Sequence, residues 1–258
     1  MYRVNEMRLN EYLTSYKSRM EPIPEKKFDQ LLKTTYSDIE KYYRTGAYRI
    51  YRGVGSHLNS FDDHLYMSPS FNRKEQSGAK NVVNLIVNNH SSWQAFPKRE
   101  ICCSSDYDGA FFYGGVYIVY PPNGTKIGVC PNDDFIEMEN FLFSPYILSE
   151  CGDIYCVNSL IEEFILSNKL KPIDDYNDLI RASNEIEKLR QSKQLKIVNP
   201  LVYGFNYYEG SFIDLLAKFV TPKKFDIIKP GDNIPSNREL WMDVPCLLKK
   251  PKINEDKF

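Results

Sequence analysis

Strand-like sequence occurs near both ends of the chain, and the sequence between these parts is helical in character. Residues 47–52 alternate as in a strand, and strand composition returns late in KFDIIKP and ELWMDVPCLLKK. Between them, residues 132–220 show helical spacing, as in VNSLIEEFILSNKL. Because the strands are far apart in sequence, they can share a sheet only through tertiary pairing, which predicts an α+β fold rather than regular βαβ alternation.

The spacing of apolar residues also predicts individual elements. One amphipathic helix is expected from Pro24 to Tyr43, and GGVYIVYPPNGTKIGVCP is expected to form a β-hairpin with its bend at Pro, Asn and Gly. The segment ELWMDVPCLL is expected to be a single strand. We therefore divide the chain into an N-terminal helical segment, 1–46, and one domain, 47–258, with a helical insertion at about 132–220.

Composition excludes several classes of protein. The 258 residues are 42% hydrophobic, which is enough for a sizeable core. The 33 basic and 34 acidic residues nearly cancel, so no overall field favours a nucleic acid or a membrane. The sequence has neither a secretory signal nor an apolar run of membrane-spanning length, so we expect a cytoplasmic protein without a membrane partner.

The six cysteines are expected to be buried thiols. A cytoplasmic chain of this size does not need disulfides for stability. Zinc is not expected, because Cys151 and Cys156 have no second pair of ligands at a suitable spacing. We therefore predict no metal site.

Three short motifs place a polar group at or beside a strand that otherwise reads as buried: YRIYRG, ICCSSD and SNRELWMDVPCLL. Arg52 carries a planar guanidinium that can give a pyrophosphate two parallel hydrogen bonds. Gly53 has no Cβ and would let a ligand approach the backbone. Arg49 is three residues from Arg52, so in a regular strand it points to the opposite face, and we take it as structural.

The other two motifs supply hydroxyls and a carboxylate. Ser104 and Ser105 follow an apolar run, where hydroxyls can bond a ribose or hold a carboxylate in place. The alternative is that SSD forms a helix N-cap or a turn. Glu239 begins an apolar strand, and a carboxylate fixed there can stabilise the positive charge that develops on a ribose when its glycosidic bond breaks.

Taken together, these motifs resemble the ADP-ribosyltransferase superfamily in its arginine, serine, glutamate branch. The resemblance implies a split β-sheet core, NAD as the substrate, and a catalytic group of Arg52, Ser104 and Glu239. It also implies that Arg52, Gly53, Ser104 and Ser105 bind NAD. Two departures stand out: Cys103 occupies the first place of the serine triplet, and Asn237 lies two residues before Glu239, which puts an arginine acceptor in doubt.

Aromatic residues near the motifs suit a cationic ligand. Oxidised nicotinamide is a cationic ring that can stack on an aromatic face. Tyr113 and Trp93 are our candidates for this contact, with Phe111 and Phe112 as neighbours that the sequence does not separate from Tyr113. The segment HSSWQAFPKR, which contains Trp93, either lines the acceptor side of a cleft or simply packs.

Some alternatives stay open. Glu137 and Glu139 in IEMEN form a glutamate, any residue, glutamate pattern and compete with Glu239 for the catalytic role. The chain could instead be a non-catalytic binding or assembly module of a viral or mobile-element type. A third reading is a nucleic-acid-directed protein whose basic residues contact phosphates, namely Lys98, Arg99, Lys249, Lys250 and Lys252.

The resemblance predicts an NAD-dependent transferase, of the kind found among toxins, that modifies a macromolecule. The partners considered are NAD, a protein or nucleic-acid acceptor, and an inhibitory partner protein. The sequence does not identify the acceptor.

Overall fold

The chain folds into two compact units, each assembled from separate stretches of sequence. The computed structural model describes residues 20–44, 49–55, 63–69, 82–133, 135, 154–196 and 208–251. The first unit, which we call the sheet unit, comprises residues 1–71, 99–133 and 226–258. The second, the helical unit, comprises residues 72–98 and 134–225.

The sheet unit is built on one antiparallel sheet, for which the described residues supply nine strands. The strands are β1 Met20–Pro22, β2 Tyr51–Val54, β3 His64–Met67, β4 Ile101–Ser104, β5 Gly115–Tyr120, β6 Ile127–Val129, β7 Asp226–Ile228, β8 Glu239–Met242 and β9 Cys246–Lys249. Their order in the sheet is β1-β3-β9-β5-β2-β4-β8-β6-β7. Helices accompany the sheet, so the predicted combination of α and β structure is confirmed.

Two apolar clusters pack on the sheet. The larger contains Ile50, Val54, Leu65 and Leu240, with residues from most of the other strands. The smaller lies under the helices α1, Glu25–Leu32, and α2, Ser37–Arg44. Burying these side chains supplies the main stabilisation of the unit, at roughly 25 cal/mol per Å² of apolar surface.

The N-terminal helix was predicted as one element, and the structure contains two. The apolar stripe was correctly placed, since Phe28 and Ile39 are buried. The break follows α1, where Asn123 donates hydrogen bonds to the Thr34 carbonyl and to the Ser37 hydroxyl. These contacts hold the chain in a turn between the two helices, a distant interaction that helical spacing does not reveal.

Two predicted strand arrangements were wrong. The arms of the expected hairpin at 114–131 are β5 and β6, which do not pair, because β2, β4 and β8 lie between them. Both edges of β5 are already occupied, one by β2 and the other by β9. The segment ELWMDVPCLL is two strands, β8 and β9, which break before Pro245, a residue without a backbone N–H.

The helical unit confirms the helical character predicted for the later part of the chain. Its helices are α3 Val82–Asn89, α5 Ile154–Ser167, α6 Tyr176–Gln191 and α7 Phe212–Phe219, whereas the short helix α4, Tyr107–Phe111, belongs to the sheet unit. Phe164 and Phe212 pack with ring centroids 5.4 Å apart in the core of the helical unit. Within the described residues, no helix combines the length and apolar character needed to cross a bilayer.

The cysteines differ from expectation at one position. Cys102, Cys103, Cys130 and Cys246 are free thiols, as predicted. Cys156 forms a disulfide, so the prediction of thiols throughout was wrong. Cys151 lies outside the described residues.

Candidate functional site

The three motifs lie on three neighbouring strands. β4 pairs with β2 on one side and with β8 on the other, and Ser104 is the cross-strand neighbour of both Tyr51 and Glu239. β2 begins at Tyr51, β4 ends at Ser104 and β8 begins at Glu239. Arg52, Ser104 and Glu239 are therefore at the same end of the three strands, although they are far apart in sequence.

The register distributes these residues over both faces of the sheet. Successive residues of a strand point to opposite faces, and directly paired residues point to the same face. Ser104 and Glu239 therefore share one face. Arg52 follows Tyr51, so its side chain points to the other face of the sheet. Cys103, which precedes Ser104, points to that same face. A ligand that contacts all three must lie across the end of the strands, where groups from both faces can reach it.

Arg52 is held by the strand next to it. The residue is 7% exposed, and its Nη1 donates a hydrogen bond to the carbonyl of Cys102. Burial raises the pKa of the Cys103 thiol to about 12, while the Arg52 charge and a hydrogen bond from it act in the opposite direction. Cys103 therefore stays a neutral thiol beside the guanidinium.

Gly53 has a structural reason to be glycine. A Cβ at this position would lie 2.7 Å from the Tyr113 Cβ and still closer to the carbonyl oxygen of Ala110. Ala110 belongs to α4, so the missing side chain makes room for this helix and the turn after it. The space that we had assigned to a ligand at Gly53 is thus occupied by the chain itself.

The two serines organise the turn that follows β4. The Ser104 hydroxyl accepts a hydrogen bond of 3.0 Å from the Asp106 backbone N–H, and Asp106 caps α4 by accepting from Gly109 N–H. The Ser105 hydroxyl accepts from Arg238 N–H at 2.9 Å, which ties the end of β4 to the residue before β8. The turn interpretation of SSD is therefore confirmed. Each hydroxyl keeps its own proton to donate.

Glu239 forms a buried ion pair with Arg99. The Arg99 Nε lies 2.7 Å from Oε1 of Glu239, and its Nη2 lies 3.2 Å from Oε2. The two residues are 4% and 7% exposed. The nucleic-acid interpretation counted Arg99 among its phosphate contacts. The burial of Arg99 and its ion pair with a carboxylate do not fit that role.

Buried charge is concentrated around these strands. In the part of the chain that the structure describes, the buried charged residues are Arg52, Arg99, Glu100 and Glu239. All of them lie on β2 or β8 or directly before β4. Such residues are rarely buried outside functional or ion-paired sites. Sequence reasoning missed the burial of Glu100 and the ion pair of Arg99, because charged residues in an apparent loop are normally exposed.

The aromatic candidates lie in different units. Phe111, Phe112 and Tyr113 are exposed at the end of α4 in the sheet unit, and Phe112 is 87% exposed. Trp93 is 1% exposed in the helical unit, where its Nε1 donates to the Val220 carbonyl and its ring packs against Phe225. Its ring face is thus taken up by packing.

Some of the candidates fall outside this description. Glu137, Glu139 and Lys252 lie outside the described residues. No cluster of three His, Cys, Asp or Glu side chains suited to a metal ion occurs among the residues that the structure does describe.

Comparison of the chain with protein-family models, curated proteins and solved structures finds no match.

Proposed function

We propose that the chain is an NAD-dependent ADP-ribosyltransferase with an ADP-ribosyltransferase-like sheet, and that it modifies a macromolecular acceptor. One observation carries the proposal: Arg52, Ser104 and Glu239 stand at the same end of three adjacent strands. The motif resemblance requires these residues to lie around one pocket, and their common strand end supports this although Arg52 points to the other face of the sheet. The concentration of buried charge on and beside the same strands supports the assignment further.

In the proposed reaction, the bond between C1′ of the nicotinamide ribose and the pyridine nitrogen breaks. The electron pair leaves with nicotinamide, and C1′ carries positive charge until a nucleophile of the acceptor bonds to it and releases a proton. Glu239 stabilises this charge, an interaction that is stronger in the transition state than in the bound substrate. Arg52 binds the pyrophosphate from the other face, and Tyr113 lies beside Gly53 as an aromatic surface for nicotinamide.

The serines keep the strand ends in register in this scheme. Ser105 joins β4 to the backbone before Glu239. Ser104 is the cross-strand neighbour of Glu239 and has a hydroxyl proton to donate to a ribose or a carboxylate. The acceptor, whether protein or nucleic acid, attacks C1′ at this end of the strands.

The test is mass spectrometry of cells that express the wild type or Glu239→Gln, with protein and nucleic acid analysed separately. We expect an ADP-ribose mass increment in one of the two fractions with the wild type, and its loss in Glu239→Gln. Glu21→Gln, an exposed strand glutamate, is the control and should keep the activity. A Glu137→Gln/Glu139→Gln variant tests the competing carboxylates. If the wild type yields no increment and purified protein does not consume NAD, the proposal is wrong.

A second candidate is a non-catalytic binding or assembly module. The burial of Glu239 favours it, because a carboxylate that is 7% exposed and engaged by Arg99 is shielded from a ligand. Calorimetry separates the two: a catalytic protein binds NAD, whereas a module in which these strands only pack shows no heat of NAD binding.

A further inference from the structure

We propose that Arg99 is a positioning residue for Glu239, which fixes the orientation of the carboxylate that the reaction uses. The inference rests on the proposed function and deepens it. It concerns a residue outside the three motifs, and it follows from how the Glu239 carboxylate is held.

The first step is the geometry of the pair. Two nitrogens of one planar guanidinium contact the two oxygens of one carboxylate, at 2.7 and 3.2 Å. A fork of this kind fixes the plane of the carboxylate as well as its position, which a single ammonium group cannot do. With both residues buried, neither side chain has the freedom that exposed ion pairs retain.

The second step is the support of the backbone on which Glu239 stands. Glu239 N–H donates to the Asn132 carbonyl, and the Glu239 carbonyl accepts from Cys130 N–H. Ser105 N–H donates to the Arg238 carbonyl next to it. The main chain at Glu239 is thus fixed from both sides, so the orientation of the carboxylate depends on its side-chain partner.

The third step is whether the Glu239 carboxylate can contact a substrate while it is paired with Arg99. Arg99 Nε and Nη2 each contact one oxygen of the carboxylate. A carboxylate oxygen can accept more than one hydrogen bond, so the contact from Arg99 does not by itself prevent that oxygen from accepting from a ribose hydroxyl. Arg99 can hold Glu239 while Glu239 holds the substrate.

Steady-state kinetics of NAD consumption test the inference with two variants and a control. Arg99→Met should lower kcat by about 100-fold with little change in KM, because misplacing a catalytic group costs this much. Arg99→Lys keeps the charge without the fork and should recover only part of kcat. Arg181→Met removes a half-buried ion pair with Asp178 in the helical unit and should leave kcat unchanged.

A double variant provides the readout that a purely structural role would not move. If Arg99 acts through Glu239, adding Arg99→Met to Glu239→Gln should lower kcat no further. An additional loss in the double variant, a change confined to KM, or a wild-type kcat in Arg99→Met would each overturn the inference.

Failure of the proposed function gives a different pattern, because the wild type itself would then be inactive. In that case the NMR signal of the Glu239 side-chain carboxyl carbon, assigned by its loss in Glu239→Gln, decides the matter. A shift of this signal in Arg99→Met supports control of the carboxylate by Arg99. An unchanged signal overturns it.

Discussion

Replacement of Gly53 by alanine tests how the end of β2 is packed. The added Cβ would lie 2.7 Å from the Tyr113 Cβ and closer still to the Ala110 carbonyl, whereas real Cβ contacts below 3.0 Å are essentially never seen. The nearer of these atoms belongs to the backbone, so no change of side-chain rotamer relieves the overlap. The segment 107–113, including α4, must move away from the strand.

The expected cost follows from the overlap. Overpacking of this kind typically costs about 1–3 kcal/mol, and we expect Gly53→Ala to lower the free energy of unfolding by about 2 kcal/mol. Gly115→Ala on the neighbouring strand β5 is the matched control, because its Cβ would meet only the Val54 carbonyl, at 3.7 Å. There, alanine reduces the freedom of the unfolded chain and should stabilise by roughly 0.4–1 kcal/mol.

Urea denaturation followed by ¹⁹F NMR measures the stability of the sheet unit separately from that of the helical unit. The chain contains two tryptophans, Trp93 and Trp241, so 5-fluorotryptophan labelling gives one probe in the helical unit and one in the sheet unit. Gly53→Ala should shift the transition reported by Trp241 to lower urea. Equal stability of the two alanine variants would show that α4 does not pack on Gly53 as described.

Three further outcomes are expected. Because the folded Cys103 thiol has a pKa of about 12 and the unfolded thiol its ordinary value of 9.0, the unfolded chain loses its proton first. The free energy of unfolding should therefore fall as the pH rises from 9 to 12, and urea titrations should show a smaller fall in Cys103→Ala. Ser211 forms the capping box of α7, so Ser211→Ala should cost about 1 kcal/mol in urea unfolding, whereas Ser192→Ala, after α6, should cost less than about 0.5 kcal/mol. Finally, Arg99→Met alone should cost about 3–5 kcal/mol, and adding Glu239→Leu should restore stability to the wild-type level or above; a double variant less stable than Arg99→Met contradicts this.

Helices and strands could be predicted from the sequence where the spacing of neighbouring residues determines them. The apolar stripe of the N-terminal helices and the strand ICCS depend on residues close together in the chain, so periodicity was sufficient. Strand pairing depends on partners elsewhere. The neighbours of β5 come from residues 51–54 and 246–249, and nothing within 114–131 indicates that these strands would displace the expected hairpin.

In the candidate site, too, the local sequence predicted the strands but not how their side chains are arranged. The motifs indicated which strands carry functional groups, and those strands are neighbours in the sheet. The face on which each group lies follows from the register, and a shift of one residue would exchange Cys103 for Ser104 beside Arg52. Arg99 was misread for a related reason: its burial depends on a carboxylate 140 positions away in the sequence.

The buried charges are difficult to explain by stability alone. Leu240, Trp241 and Met242 follow Glu239 on β8 and are completely buried, so an apolar residue at the start of the strand would continue the same packing. Replacing a buried ion pair by apolar residues of similar volume is often neutral or stabilising, by about 1–4 kcal/mol. A chain that keeps both Arg99 and Glu239 at this position therefore gains little stability from them. This supports the proposal that the pair, at the same strand end as Arg52, serves a ligand rather than the fold.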